Sequence, residues 1–337
     1  MTKPSVVVLS RISGLRQAFD ARSLTGPWIE WIGGDPTVPE AQAALERCEV
    51  LVGEPALCAP IVDRCPNLRW LQSTFAGCNQ LLDQPRRDFV ATRLAGCFGA
   101  DMAEYTLLHV LARERQYEMQ RELQRSRTWL PARSVDGSRQ GGAAYRRMSA
   151  VTLGVLGLGD IGSVIAASAH HGLRMRVVGW RRDGTARDSD ASAGVSAVYG
   201  GNARLGEFLA EADYLVAVLP STPQTRGLLD GEVLKACAAK APTLINVGRG
   251  DLLNEGSILN ALDAGWLSHY VGDVYSPEPL VAESALWEHP KVTVTPHNSA
   301  VTQPEDVVEA FDENLRRYVE EGGVPALQHV FGWEAGY

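Results

Sequence analysis

The sequence predicts an α/β protein of two doubly wound parallel sheets, one domain inserted into the other. Three observations predict it. Short apolar runs alternate with helical stretches along the chain, a pattern that lays strands side by side with helices on both faces. A glycine-rich turn, GLGDIG at 157–162, opens a second strand–helix series after a first one has run its course. The last helical stretch follows that second series, and its return to the first would make the first domain discontinuous. A length of 337 residues suits two domains of ordinary size.

In the first series, residues 5–10, 49–53, 68–73 and 88–94 read as strands, with helix-like AQAALERC at 41–48 between them. The interval 101–125 reads as one long helix with an apolar stripe through Met102, Tyr105, Leu108 and Leu111. Residues 126–147, rich in Arg, Ser and Gly, read as a surface loop or arm. Six strands are expected in the second series, at 151–156, 174–180, 214–220, 243–248, 270–275 and 291–296. The final helix, about 303–321, has Thr302 and Glu305 in capping-box spacing, Pro304 in its first turn, and Gly322 and Gly323 as a stop. The expected domains are therefore 1–99 with 297–337, and 100–296, with a cleft where the chain crosses twice.

Composition excludes several function classes. Hydrophobic residues make up 45% and charged residues 21%, which describes a globular chain with ample core. A net charge of −8 argues against nucleic-acid binding, which wants a basic face. Residues 113–147 hold nine arginines against four acids, but Glu114, Glu118 and Glu122 interleave with Arg113, Arg115, Arg121 and Arg125, as on a solvated helix laced with ion pairs. Six cysteines without a CxxC pair read as reduced, mostly buried thiols, and no metal site is expected. No apolar run is long enough for a membrane span or a signal-peptide core, so a cytoplasmic protein is expected.

The turn carries the first chemistry. It follows a strand and opens a helix, the context that makes GxGxxG a dinucleotide signal. Gly157 permits the tight turn, Gly159 lets backbone approach a pyrophosphate, and Gly162 lets helix pack on strand. The helix N-terminus, with Asp160 and Ile161 in its first turn, supplies N–H groups to the phosphates. At the end of the next strand, where an NAD site wants a carboxylate for the ribose hydroxyl, the chain reads VVGWRRDG. Trp180 takes that position, and Arg181 and Arg182 follow. Guanidinium groups suit a 2′-phosphate, which favours NADP(H) with NAD(H) as the other candidate; the plain reading makes both arginines surface residues of a turn.

Reduction of a keto acid needs a cation to hold and polarise the substrate, a proton donor, and a group that keeps the donor protonated. Arg249 in INVGRGDLL, His297 in VTPHNSA and Glu278 in GDVYSPEPL match those needs. Arg249 and His297 fall just past expected strand ends, where doubly wound sheets place their ligands. Singly, each reads equally well as a surface arginine, a satisfied histidine or a loop acid.

Through these residues, and through STFAGCNQL, AEY, LPSTPQTRGLL and TPHNSA, the chain resembles the D-2-hydroxyacid dehydrogenase family, closest to its bacterial NADPH-preferring glyoxylate/hydroxypyruvate reductases. The resemblance covers nearly the whole chain. It implies a Rossmann nucleotide domain inserted in a flavodoxin-like substrate domain, and an Arg–Glu–His system at Arg249, Glu278 and His297. It also implies a cofactor pocket that includes Leu219, Pro220, Thr225, Val247, Gly248 and Asp273, and backbone N–H groups of Ala76 and Gly77 on the substrate carboxylate. Asn79 departs from the family pattern, where many members carry Asp. Family dimers form through the region equivalent to 100–150, so a homodimer is implied. Trp129 either enters the partner or anchors its own arm, and Met102 either floors the nicotinamide pocket or is buried on a helix face. Two rivals remain: a dinucleotide-sensing corepressor acting as a binding module, and a formate- or phosphonate-type dehydrogenase of the same fold.

Overall fold

The computed structural model describes residues 3–33, 35–37, 39–129, 145–334 and 336. The chain splits into two compact units: Met1–Cys97 with Val301–Tyr337, and Phe98–Ala300. Among the described residues the strands form two sheets in which every pairing is parallel.

The first unit runs β1 (Val6–Leu9), α1 (Leu15–Ala21), β2 (Ile29–Trp31), α2 (Pro39–Arg47), β3 (Val50–Gly53), α3 (Pro55–Cys58), β4 (Trp70–Ser73) and β5 (Val90–Thr92), with sheet order β2-β1-β3-β4-β5. This is the flavodoxin-like order. Its central strands, VVVL, VLVG and WLQS, are buried at every position. Continuous burial of that kind follows from helices on both faces of a parallel sheet. Strand β2 was not expected. It is a three-residue edge strand with only Ile29 fully buried, so it carries little apolar signal.

The second unit opens with α4 (Gly99–Glu114) and α5 (Tyr117–Arg125). The single helix expected over 101–125 is thus broken, at Gln116, whose φ of 51° is left-handed. The buried carboxylate of Glu114 accepts from Arg146 and from the Tyr214 hydroxyl, and Arg113 Nε donates to Thr243 Oγ1, so the end of α4 is tied down. Helix α5 buries none of its residues and has no reason to continue that axis. The buried face of α4 is also not the expected stripe: Gly99, Ala103, Thr106, Val110 and Glu114 are buried, while Leu108 is exposed. Small residues let α4 lie close on its neighbour; a Cβ on Gly99 would sit 2.7 Å from Val164. Of the expected arginine–glutamate lacing, Arg125 pairs with Glu122, whereas Glu114 pairs with Arg146 instead.

The chain continues β6 (Thr152–Leu156), α6 (Asp160–Ala167), β7 (Arg176–Arg181), α7 (Asp188–Ser192), β8 (Val195–Gly200), α8 (Leu205–Glu211), β9 (Tyr214–Ala217), β10 (Thr243–Asn246), α9 (Glu255–Asp263), β11 (His269–Gly272) and β12 (Val292–Val294). The order β12-β11-β10-β9-β6-β7-β8 sets β6 between β7 and β9, and the sequence order of the strands reverses between β6 and β9, the Rossmann arrangement with one added edge strand. Strand β8 was not expected; only Tyr199 of its six residues is fully buried.

Helix α10 (Pro304–Glu320) packs on the first unit. Phe311 stacks between Phe19 (5.3 Å) and Trp70 (5.5 Å), and Tyr318 lies 5.7 Å from Trp70. Pro304 is in the first turn, but the expected capping box is absent. Gln303 is the N-cap without a side-chain bond, and Thr302 Oγ1 donates to the Thr74 carbonyl. All six cysteines are free, and five are buried. Among the described residues no helix is long and apolar enough to cross a membrane, and no group of three His, Cys, Asp or Glu is set to hold a metal.

Candidate active site

The glycine turn connects the fully buried β6 to α6, and each glycine there has its own constraint. Gly157 has φ 113°, a region L side chains rarely adopt, with the Val218 carbonyl 3.0 Å from where a Cβ would be. A Cβ on Gly162 would lie 2.0 Å from the Gly157 carbonyl oxygen, so helix and turn touch backbone to backbone. At Gly159 nothing lies within 4 Å of an added Cβ. That open backbone, at the N-cap of α6, is the cradle a pyrophosphate needs, and the residues present fit a dinucleotide. Asp160 and Ile161 form the first turn.

The end of β7 departs from expectation. The Trp180 indole is buried in the core with Phe208 and Leu205, and its Nε1 donates to the Gly201 carbonyl. The Arg181 guanidinium turns inward as well. It donates to the carbonyls of Thr185 (2.9 Å) and Leu158 (3.1 Å) and pairs with the buried carboxylate of Asp190 at the start of α7. A charge so buried needs its partner, so Arg181 is committed to structure. Trp180 and Arg181 therefore do not present their side chains to a cofactor. Arg182, the next residue, is exposed.

The structure brings the loops after β9 and β10 together. Val247 N donates to the Ala217 carbonyl at 3.1 Å, and a Cβ on Gly248 would stand 2.8 Å from Leu219 backbone. Leu219 is buried and Pro220 half-buried. The Thr225 hydroxyl closes its own turn onto the Pro220 carbonyl at 2.6 Å, so its observed role is to shape the loop.

Arg249 follows β10 and is half-buried. Fully buried Asn246 holds its loop, with Nδ2 donating to the Arg249 carbonyl and Oδ1 accepting from Gly248 N. Gly250 then presses on Tyr275 backbone, where a Cβ would come within 2.0 Å of the carbonyl carbon. That contact joins the Arg249 loop to the one bearing Glu278. Glu278 Oε1 accepts from Tyr275 N at 2.8 Å, and Oε2 meets His297 Nδ1 at 2.8 Å. His297 has φ 51°, left-handed for a non-glycine residue, and its N–H donates to the Asp273 carbonyl at 2.9 Å. Strain of this kind persists only where the surroundings enforce it.

Electrostatics follow the geometry. The Glu278 carboxylate raises the His297 pKa above its ordinary value, against the opposing effect of burial and of Arg249. Burial pushes Glu278 up, but His297, the Tyr275 N–H and Arg249 outweigh it and hold the carboxyl below its usual range. Asp273 is fully buried; burial raises it, yet donors from Ser299, Thr295 and Asn298 bring it below the ordinary value. An imidazole whose charged form is favoured, two carboxylates and a guanidinium thus share one neighbourhood of the second unit.

Ala76 and Gly77 belong to the first unit, half-buried in the loop after β4, beside the Asn79–Leu81 turn. Met102 is half-buried against the core of the second unit. Trp129 is 94% exposed, and the arm residues 130–144 lie outside the described residues. Sequence reasoning missed Thr295 and Asn246 as site residues and read Tyr105 only as part of an apolar stripe. Their one signal was a polar side chain beside a strand end, which loops show everywhere.

Residues 107–299 match the family model described as D-isomer specific 2-hydroxyacid dehydrogenase, NAD binding domain. Solved structures agree over the whole length. A D-isomer specific 2-hydroxyacid dehydrogenase family protein from Aeromonas salmonicida is 33% identical, with 98% of this chain and 100% of that one covered and a TM-score of 0.80. One from Xanthobacter autotrophicus, in complex with NADPH and MES, is 27% identical over 100% of both chains, with a TM-score of 0.81. An NADPH-dependent glyoxylate/hydroxypyruvate reductase from Sinorhizobium meliloti, in complex with NADP and sulfate, is 28% identical over 100% of both chains, with a TM-score of 0.80. With a model match over more than half its length and these similarities across both sheets, the chain belongs to the D-isomer-specific 2-hydroxyacid dehydrogenase family.

Proposed function

We propose that this protein reduces small 2-keto acids, with glyoxylate and hydroxypyruvate as the leading substrates, to D-2-hydroxy acids using NADPH. The observation that carries the reading is the His297–Glu278 pair at 2.8 Å within the field of Arg249. When bound, the reduced nicotinamide supplies a hydride to the substrate's carbonyl carbon. Arg249 holds the substrate and polarises its carbonyl. His297 has Nδ1 engaged by Glu278, so Nε2 delivers the proton to the developing alkoxide. Glu278 keeps that imidazole charged and fixes its ring.

Gly157, Gly159, Asp160, Ile161 and Gly162 hold the pyrophosphate, while Leu219, Pro220, Thr225, Val247, Gly248 and Asp273 form the rest of the cofactor pocket. Exposed Arg182 takes the 2′-phosphate. On the first unit, Ala76 and Gly77 offer N–H groups to a carboxylate. NADPH or NADP in two similar structures, one of them named as a glyoxylate/hydroxypyruvate reductase, supports both the coenzyme and the substrates at 27 and 28% identity. A homodimer through the 100–150 region accords with an almost fully exposed Trp129.

The test is NADPH oxidation over a panel of glyoxylate, hydroxypyruvate and pyruvate, with parent and His297→Ala. The parent turns over at least one of these, and the variant loses at least about a hundredfold in kcat while NADPH affinity holds. Equal rates for the two proteins, or activity only with formate or phosphite, overturn the proposal.

A further inference from the structure

We infer that Tyr105, on α4, is a positioning residue for the His297 loop, acting through a directional hydrogen-bond chain that runs by way of Thr295 to Asp273. This deepens the reductase reading and rests on His297 as the proton donor.

The chain is short and its direction is fixed by chemistry. The Tyr105 hydroxyl lies 2.6 Å from Thr295 Oγ1, and Thr295 Oγ1 lies 2.6 Å from Asp273 Oδ1. Asp273 is fully buried and held in its ionised form, so it can only accept. Thr295 has one hydroxyl hydrogen and spends it on Asp273. Tyr105 therefore donates to Thr295, and burial, which pushes the Tyr105 pKa up to about 12, keeps it a donor. Its ring packs against His109 at a tilt of 60°, centroids 4.5 Å apart.

Asp273 is the hub that converts this chain into geometry. Its carboxylate accepts the N–H groups of Asn298 and Ser299, both at 2.9 Å, and its carbonyl accepts His297 N–H at 2.9 Å. Three successive amides of the loop thus close on one residue, across the left-handed turn at His297. Its own N–H donates to the Asn246 carbonyl at 3.0 Å, and Asn246 holds the Arg249 loop. A left-handed histidine is strained, and a buried carboxylate short of donors would rotate to find others. The Tyr105 hydroxyl polarises Thr295 and keeps Oδ1 directed at the loop.

Tyr105→Phe removes one oxygen and leaves the ring contact with His109 intact. It is expected to lower kcat on glyoxylate about tenfold with a smaller effect on KM for NADPH, because the donor is misaimed while the glycine turn that holds the pyrophosphate is untouched. Thr295→Val breaks the chain nearer the hub and loses more, while Thr295→Ser, which keeps the hydroxyl, retains most of the activity. The Tyr105→Phe/Thr295→Val double variant should match Thr295→Val alone, since both act through one path. Amide exchange at Asn298 and Ser299 should quicken in Tyr105→Phe. If kcat and those amides are unchanged in Tyr105→Phe while His297→Ala is inactive, the positioning role fails and the reductase reading stands. Independent, multiplying losses in the double variant overturn the shared path. Full activity of His297→Ala overturns the reading beneath both.

Discussion

At the scale of single residues, the most consequential fact is which way a side chain is turned. Arg181 and Arg182 are neighbours with the same charge, yet Arg181 lies buried against Asp190 and Arg182 faces out. Arg182→Ala should lower the ratio of kcat/KM with NADPH to that with NADH at least about tenfold, the scale of one lost charge-assisted contact. Asp190→Ala should leave that ratio unchanged but cost about 3–5 kcal/mol in denaturant unfolding, because it strands a buried guanidinium. A changed coenzyme ratio in Asp190→Ala would give Arg181 back its direct role.

The pH dependence is a residue-scale property too. The His297 pKa is raised above its ordinary 6.5, so its pairing energy is fully present below 6.5 and is lost as pH rises through the folded value. Glu278 is depressed below 4.5, so its share is present above 4.5 and is lost as pH falls through the folded value. Reductive kcat/KM should therefore fall on the alkaline side as His297 loses its proton. Glu278→Gln should move that limb to lower pH, read from the rate profile. An unmoved limb would remove Glu278 as the support of the imidazolium.

At the scale of elements, strand ends and turns position the chemistry. Strand β6 can run straight into α6 only because Gly162 lets the helix lie on the Gly157 carbonyl. Gly162→Val should displace the turn and weaken NADPH binding at least about tenfold, measured by fluorescence titration, with the sheet still folded. Unaltered affinity would show that the turn tolerates a side chain and does not grip the pyrophosphate. The sequence was clear at this scale where an element is central. Strands β1, β3, β4, β6, β9 and β10 are buried throughout and read as apolar runs. It was unclear at two of the four edges, where β2 and β8 are partly exposed and carry no unbroken run. The break at Gln116 was hidden because both helices flanking it have helix-forming composition; the tie of Glu114 to Arg146 and Tyr214 is a contact between distant residues.

At the scale of the whole molecule, the chain leaves the first unit after Cys97 and returns at Val301. The return matters energetically, since Phe311 is fully buried between Phe19 and Trp70. Phe311→Ala should cost about 3–5 kcal/mol, seen as a lower denaturant midpoint; a change within experimental error would mean that α10 is a loose cover. In sedimentation the protein should run at twice its 36.5 kDa chain mass. A monomer at micromolar concentration would remove the dimer from the proposal.

Periodicity and short-range spacing, by themselves, determined that this is a parallel α/β chain with a dinucleotide turn and that Arg249 and His297 follow strand ends. Those features are local: a buried central strand, a glycine turn and a strand terminus each leave a mark within a few residues. Only the tertiary structure decided which arginine points outward, where the long helix breaks, and that Tyr105, Thr295 and Asp273 form one chain. Burial and hydrogen-bond partnership are set by residues far apart along the chain, 190 positions for Tyr105 and Thr295, and no window along the chain contains both partners.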